Sequence, residues 1–333
     1  MRYRELGELR VSVVGLGCSK FGGQLDREGT RAVIDAALDA DVNFFDTADV
    51  YGGDGEGERL LGELLRGRRD EVFLATKFGM GWSGTAGDPA GAPGSRAGVR
   101  RAAESSLRRL QTDHIDLYQY HLPDGVTPID ETLGALDELV QDGMVRHIGC
   151  SNFSAAQLAE AAHAARTHGV TSFVSLQNEY SLLERGIELE VLPECRRLGL
   201  SVLPYFPLAS GLLTGKYRRG QAGPVGAPPH GRGGPGDEQT YDRLDALAQF
   251  TRARGLAPVQ AAIGGLAGQP MIASVIAGAT SAEQVRANAA AAEWEPTEDD
   301  LAELDEIFPP PGRQPADGAP RRPRRFRLRP WRR

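Results

Sequence analysis

Four side chains stand where a polar residue ends an apolar run. Asp46 closes Asn43-Phe44-Phe45, Tyr51 follows five positions later, Lys77 ends Val72-Phe73-Leu74-Ala75-Thr76, and His121 ends Asp116-Leu117-Tyr118-Gln119-Tyr120. Singly, each has an ordinary structural reading: a carboxylate capping a loop, a packed tyrosine, a surface lysine and a satisfied histidine. Brought to one point, they form a set for moving a proton to or from a carbonyl oxygen while hydride moves at carbon. A phenol titrates near pH 10, so work near neutrality requires a cation beside it. A unit charge about 4 Å away, at an effective dielectric near 20, is worth about 4 kcal/mol, or roughly three pKa units. Lys77 is the candidate cation, Asp46 its partner, Tyr51 the general acid, and His121 the group that orients the carbonyl.

That convergence needs a scaffold in which strand ends meet. Eight β-branched or aromatic runs recur along the chain: Val11–Gly17, Asn43–Ala48, Val72–Lys77, Ile115–His121, Val145–Asn152, Phe173–Tyr180, Leu200–Leu208 and Ile272–Ala279. Amphipathic stretches such as Glu28–Ala40 and Gly98–Leu110 separate them. Eight such units predict a parallel (β/α)₈ TIM barrel, whose active site is built from loops at the C-terminal strand ends. An open doubly wound sheet would ask for GxGxxG after the first strand, and Gly15-Leu16-Gly17-Cys18-Ser19-Lys20 puts lysine in the third glycine's place. The N-terminal residues 2–11 read as a β-hairpin plugging the barrel bottom. Residues 1–311 are expected to form the barrel and 312–333 a disordered Pro/Arg-rich tail. Two Gly/Pro-rich stretches, Gly79–Gly98 and Arg218–Asp237, read as extended loops on the catalytic face.

Composition narrows the classes. The 333 residues are 41% hydrophobic and 25% charged, with net charge −7. Eight arginines and no acidic residue fall within 321–333, so the remainder carries −15. An acidic body argues against a nucleic-acid-binding fold, leaving only nonspecific polyanion contacts for the tail. No apolar run approaches the roughly 20 residues of a membrane span, and the N-terminus lacks a secretory h-region. Cys18, Cys150 and Cys195 are far apart and form no CxxC pair, which predicts a cytoplasmic setting and no metal site.

From about Tyr3 to Phe308 the sequence resembles the aldo-keto reductase superfamily, in the branch with a Gly211-Leu212-Leu213-Thr214-Gly215-Lys216-Tyr217 loop. Asn43-Phe44-Phe45-Asp46-Thr47-Ala48-Asp49-Val50-Tyr51-Gly52 is similar to the segment bearing the catalytic aspartate and tyrosine, Ala75-Thr76-Lys77 to the catalytic-lysine strand, and Asp113–His121 to the stretch ending in the catalytic histidine. The resemblance implies a barrel that uses NADP(H), with NAD(H) as the competing cofactor, to reduce a small aldehyde or ketone. It implies that Ser151, Asn152 and Gln177, beside Asn178, face the nicotinamide amide and that Tyr205 stacks on its ring, within Tyr205-Phe206-Pro207-Leu208 where phenylalanine replaces the usual serine. Gly17, Gly211 and Lys216 join the cofactor set, as do Gly278, Ala279, Thr280, Gln284 and Asn288 around a phosphate-facing helix start. Gly278 and Gln284 stand where the branch that grips a 2′-phosphate has lysine and arginine. Gly264-Gly265 replaces larger helical residues, loosening the last turn or permitting close packing. Phe21, Phe78 and Trp82 are expected to wall an apolar substrate pocket. The resemblance also admits a sugar-directed oxidoreductase (an aldose dehydrogenase or a keto- or enoyl-sugar reductase), or a cofactor-sensing subunit of the kind associated with channels.

Overall fold

The computed structural model describes residues 1–80, 91–219 and 238–312. The strands β1 (Tyr3–Leu6) and β2 (Leu9–Ser12) come first and pair antiparallel. Among the described residues eight parallel strands follow: β3 (Val14–Gly17), β4 (Phe44–Asp46), β5 (Phe73–Phe78), β6 (Ile115–Tyr120), β7 (Val145–Ser151), β8 (Ser175–Gln177), β9 (Ser201–Val202) and β10 (Val275–Gly278). Neighbours in the chain are neighbours in the sheet, and β10 returns beside β3. The circle closes where Val202 N–H donates to Met271 O at 2.8 Å and Ala273 N–H to Val202 O at 3.1 Å. The result is the expected (β/α)₈ barrel.

Six helices alternate with the strands from β3 to β9: α1 (Arg27–Asp39), α2 (Glu56–Leu64), α3 (Arg96–Leu110), α4 (Ile129–Gln141), α5 (Ala155–His168) and α6 (Val191–Leu198). The pair α7 (Glu238–Arg254) and α8 (Pro258–Ala267) precedes β10, and α9 (Ala282–Ala290) and α10 (Glu298–Ile307) follow it. Short polar side chains set several starts. Asp26 accepts from Gly29 N at the head of α1, Ser154 and Gln157 form a reciprocal cap on α5, and Thr297 and Asp300 do the same on α10. Each such cap satisfies amides the first turn cannot bond internally. None of the helices among the described residues is long and apolar enough to cross a membrane.

Strand alternation divides the core in two. Leu74, Phe78, Tyr118, Tyr120 and Leu176 face outward and pack with the helices, whereas Phe44, Ala75 and Leu117 face the axis. The hairpin supplies Leu6, Leu9 and Val11 to that inner cluster and so closes the barrel bottom. Its turn uses Gly7 at φ +59°, with a Cβ there only 3.1 Å from the His147 ring. Arg4 rivets the hairpin to the end of α8 and the segment leading into β10, its guanidinium donating to the carbonyls of Ala267, Gln269 and Ile272.

The predicted runs are longer than the strands. Val11 and Ser12 belong to the hairpin, where they pair with Arg4 and Tyr3, and the barrel ladder begins only at Val14. Leu200–Leu208 yields only Ser201–Val202 as regular strand, since Pro204 and Pro207 have no amide to give a ladder. Gly264 and Gly265 permit close packing: a Cβ on Gly264 would lie 2.6 Å from the Trp294 ring, and one on Gly265 3.0 Å from Leu304.

Candidate active site

Asp46 ends β4 facing the axis, and its carboxylate gathers three donors from three other strands. Lys77 Nζ of β5 donates to Oδ2 at 2.6 Å, and Oδ1 accepts from Gln119 Nε2 of β6 at 3.0 Å and Gln177 Nε2 of β8 at 2.8 Å. Lys77 also donates to Thr47 O at 2.9 Å. All four side chains are buried. Desolvation of this size is tolerated only because each charge and amide finds a partner. Gln119 was not among the residues singled out from sequence, although it lies two positions before His121 and so on the same strand face.

Tyr51 comes from the loop after β4, with Lys77 Nζ 5.2 Å from its ring centre. His121, one residue beyond β6, meets the Tyr51 ring edge-on at 6.1 Å between centroids. The expected tetrad therefore converges at the C-terminal strand ends. Its protonation differs from expectation in one respect. Burial holds the Tyr51 phenol above its ordinary pKa and outweighs the opposing Lys77 charge. Burial works against the Lys77 ammonium too, yet Asp46 and Tyr51 more than offset it and its pKa is raised. Burial, aided by Lys77, keeps His121 well below the usual histidine range. At neutral pH the site thus holds a protonated phenol, an ammonium and a neutral imidazole whose buried Nδ1 has no hydrogen-bond partner among the described residues.

Beyond the tetrad a relay of hydrogen bonds runs across the mouth. Asn152, at φ +61°, donates to His121 O at 3.0 Å and accepts from Tyr205 OH at 2.8 Å. Its own amide donates to Asn178 Oδ1 at 2.7 Å, and Ser151 Oγ donates to Gln177 O at 2.7 Å. A non-glycine residue in the left-handed region persists only where surroundings hold it there, and such positions concentrate at functional sites. Tyr205, Pro207 and Leu208 lead into a tight turn, where a Cβ on Gly211 would lie 2.8 Å from Lys216 Nζ. Lys216 itself is exposed.

On the other side, Gly17 pairs with Gly278 across β3 and β10. Among the described residues a Cβ on Gly278 would meet nothing nearer than Gly17 O at 3.8 Å, and Gly278 is exposed at the strand end. The helix α9 starts just beyond, after Ala279 and Thr280. Gln284 turns back so that its Oε1 accepts from Thr280 N at 2.8 Å, and Asn288 donates to Gly278 O at 3.4 Å.

Phe21 and Phe78 do not wall a pocket. Both have no exposed surface and belong to the core between barrel and helices, Phe78 stacked between Tyr118 and Tyr120. Phe78 follows the inward-facing Lys77 and so must point out. Trp82 lies outside the described residues. Within the described residues no group of three or more His, Cys, Asp or Glu side chains is placed to hold a metal ion.

The sequence profile of the Aldo/keto reductase family matches residues 13–308. The chain is 38% identical over 325 residues to uncharacterized oxidoreductase YrpG of Bacillus subtilis (strain 168), covering 94% of this chain and 97% of that one. It is 34% identical over 305 residues to a probable voltage-gated potassium channel subunit beta of Oryza sativa subsp. japonica, covering 86% and 90%. Identity to protein tas of Escherichia coli (strain K12) is 32% over 342 residues, covering 92% and 97%.

Proposed function

Because the chain belongs to the aldo/keto reductase family, we propose that it is a nicotinamide-dependent reductase that converts a small aldehyde or ketone to an alcohol, with Tyr51 as the general acid. The observation that carries this reading is the buried Asp46–Lys77 pair set beside a protonated tyrosine and a neutral histidine. The mouth suits a planar ring with a carboxamide and a phosphate tail. Tyr205 offers an aromatic face, Ser151 and Asn152 offer hydroxyl and amide groups, the exposed Gly278 carries no side chain to crowd the strand ends, and Lys216 and the start of α9 suit negative charge. When bound, the reduced nicotinamide supplies the hydride.

The protein's own part is proton delivery. The neutral His121 imidazole donates to the carbonyl oxygen and fixes its direction. Tyr51 gives up its proton as negative charge develops there, and Lys77 favours the tyrosinate left behind. Asp46 keeps the ammonium charged and in place. Gln119 and Gln177 hold Asp46, so the lysine has one position rather than several.

NADP(H) is the proposed cofactor, with NAD(H) its competitor because Gly278 and Gln284 bring no cation to the α9 start. The likeness to potassium channel β subunits favours, as a second reading, a cofactor-sensing subunit with little turnover. Titration with NADPH and NADH by intrinsic fluorescence, followed by a panel of aldehydes, ketones and sugars, separates the two and tests a sugar-directed specificity. Binding with turnover supports the reductase, and binding with none on any carbonyl supports the sensor. In Tyr51→Phe the cofactor should still bind while turnover falls at least about 100-fold, the scale of losing a general acid. Undiminished turnover in that variant would overturn the assignment.

A further inference from the structure

Behind the tetrad, on the outer side of the barrel wall, lies a second buried charge. Glu58 of α2 is fully buried, and both its oxygens are engaged: Thr76 Oγ donates to Oε1 at 2.6 Å and Arg109 Nε of α3 donates to Oε2 at 2.6 Å. A buried ion pair of this kind is weak evidence of stabilisation, because desolvation consumes most of the attraction, and its best-attested use is to fix register. The elements it joins are informative. Thr76 immediately precedes Lys77, so Glu58 grips β5 one residue from the ammonium. On its other side, Glu58 follows Gly57, whose amide donates to Tyr51 O at 3.0 Å. The loop between is pressed close, since a Cβ on Gly57 would lie 3.2 Å from Tyr51 O and one on Gly52 2.7 Å from Phe21 O. Arg109 lies across Gly55, where a Cβ would collide with its guanidinium. Two backbone bonds, Thr47 N to Ala75 O at 2.9 Å and Asp49 N to Lys77 O at 3.1 Å, tie the start of the same loop to the same strand.

We propose that Glu58 is a positioning residue for proton transfer, holding the Tyr51 loop in register with the Lys77 strand through its bond to Thr76. The inference rests on the reading of Tyr51 and Lys77 as the proton-transfer pair. Neither Glu58 nor Thr76 faces the mouth, so neither touches substrate or cofactor. They act by setting where the phenol stands relative to the ammonium, and a displacement well under the width of an atom is sufficient to slow a positioned transfer.

Thr76→Val keeps the side-chain shape and removes the hydroxyl. The expected result is a fall in kcat of about 10-fold with cofactor affinity held within about twofold, and a displaced alkaline limb of the kcat–pH profile. Thr76→Ser, which returns the hydroxyl, should restore both. Should the valine variant not accumulate as folded protein, Thr76→Ala makes the same test without the branched side chain. A second readout needs no turnover: the tyrosine ring resonance that disappears in Tyr51→Phe should move in Thr76→Val at neutral pH and return in Thr76→Ser. A lowered melting temperature with kcat, the alkaline limb and the Tyr51 resonance all unchanged would make the Glu58 network structural only and overturn the proposal. Absence of turnover by the unmodified protein would count against the reductase reading, and the Tyr51 resonance would then decide the positioning role by itself.

Discussion

Asp49 lies two positions before Tyr51, and its buried Oδ1 has no hydrogen-bond partner among the described residues. Burial, and then the Glu58 charge, pushes its carboxyl up to about 7, against the opposing pull of Arg109 and Lys77. A carboxyl raised in the folded state contributes stability that is complete below its unfolded pKa and lost as pH climbs through the folded one. Asp49→Asn removes that loss, so its melting temperature relative to the unmodified protein should climb from about pH 4 to about pH 8, a trend that calorimetry across that range would show or refute. His121 has the opposite sign: its lowered pKa gives stability that is lost as pH falls below the usual histidine range. The four candidate residues stood out in sequence because each is a polar residue at or just past the end of an apolar run, and the fold brings them together. The environment of Asp49 was not, because it is made by α2 and α3 folding over it. Phe21 and Phe78 were misplaced for a similar reason. An aromatic type does not say which side of a barrel wall it occupies, although strand alternation from Lys77 would have turned Phe78 outward.

At the scale of elements, helices were easier to read than strands. The predicted Glu28–Ala40 and Gly98–Leu110 lie within two residues of the observed bounds of α1 and α3, since period and caps both mark a helix in sequence. Strands such as β9 shrink to two residues because prolines and side-chain bonds interrupt the ladder while the chain stays extended. The hairpin was visible as a Gly-turn between alternating residues, but its attachment was not. That attachment is Arg4, whose three acceptors are backbone carbonyls more than 260 positions away in the chain. Arg4→Leu should cost about 2 kcal/mol, the scale of losing hydrogen bonds to a charged group, read as a lower urea midpoint. An unchanged midpoint would mean that the apolar plug of Leu6, Leu9 and Val11 alone secures the hairpin.

For the whole molecule, the barrel makes the site a property of closure. The Asp46 carboxylate draws its donors from β5, β6 and β8, the farthest 131 positions along the chain. An array assembled from such distant segments has no local precursor, whereas the helices that shield it can form from neighbouring residues. Refolding from urea should therefore proceed at two tempos. Far-ultraviolet circular dichroism should recover first and the Tyr51–Lys77 site, followed by its tyrosine resonance or by turnover, should recover later. Simultaneous recovery would indicate that barrel closure and helix formation are one event. Until β8 curls round to face β4, the chain would resemble its final self in backbone signal while Asp46 still lacks the Gln177 amide that completes its surroundings.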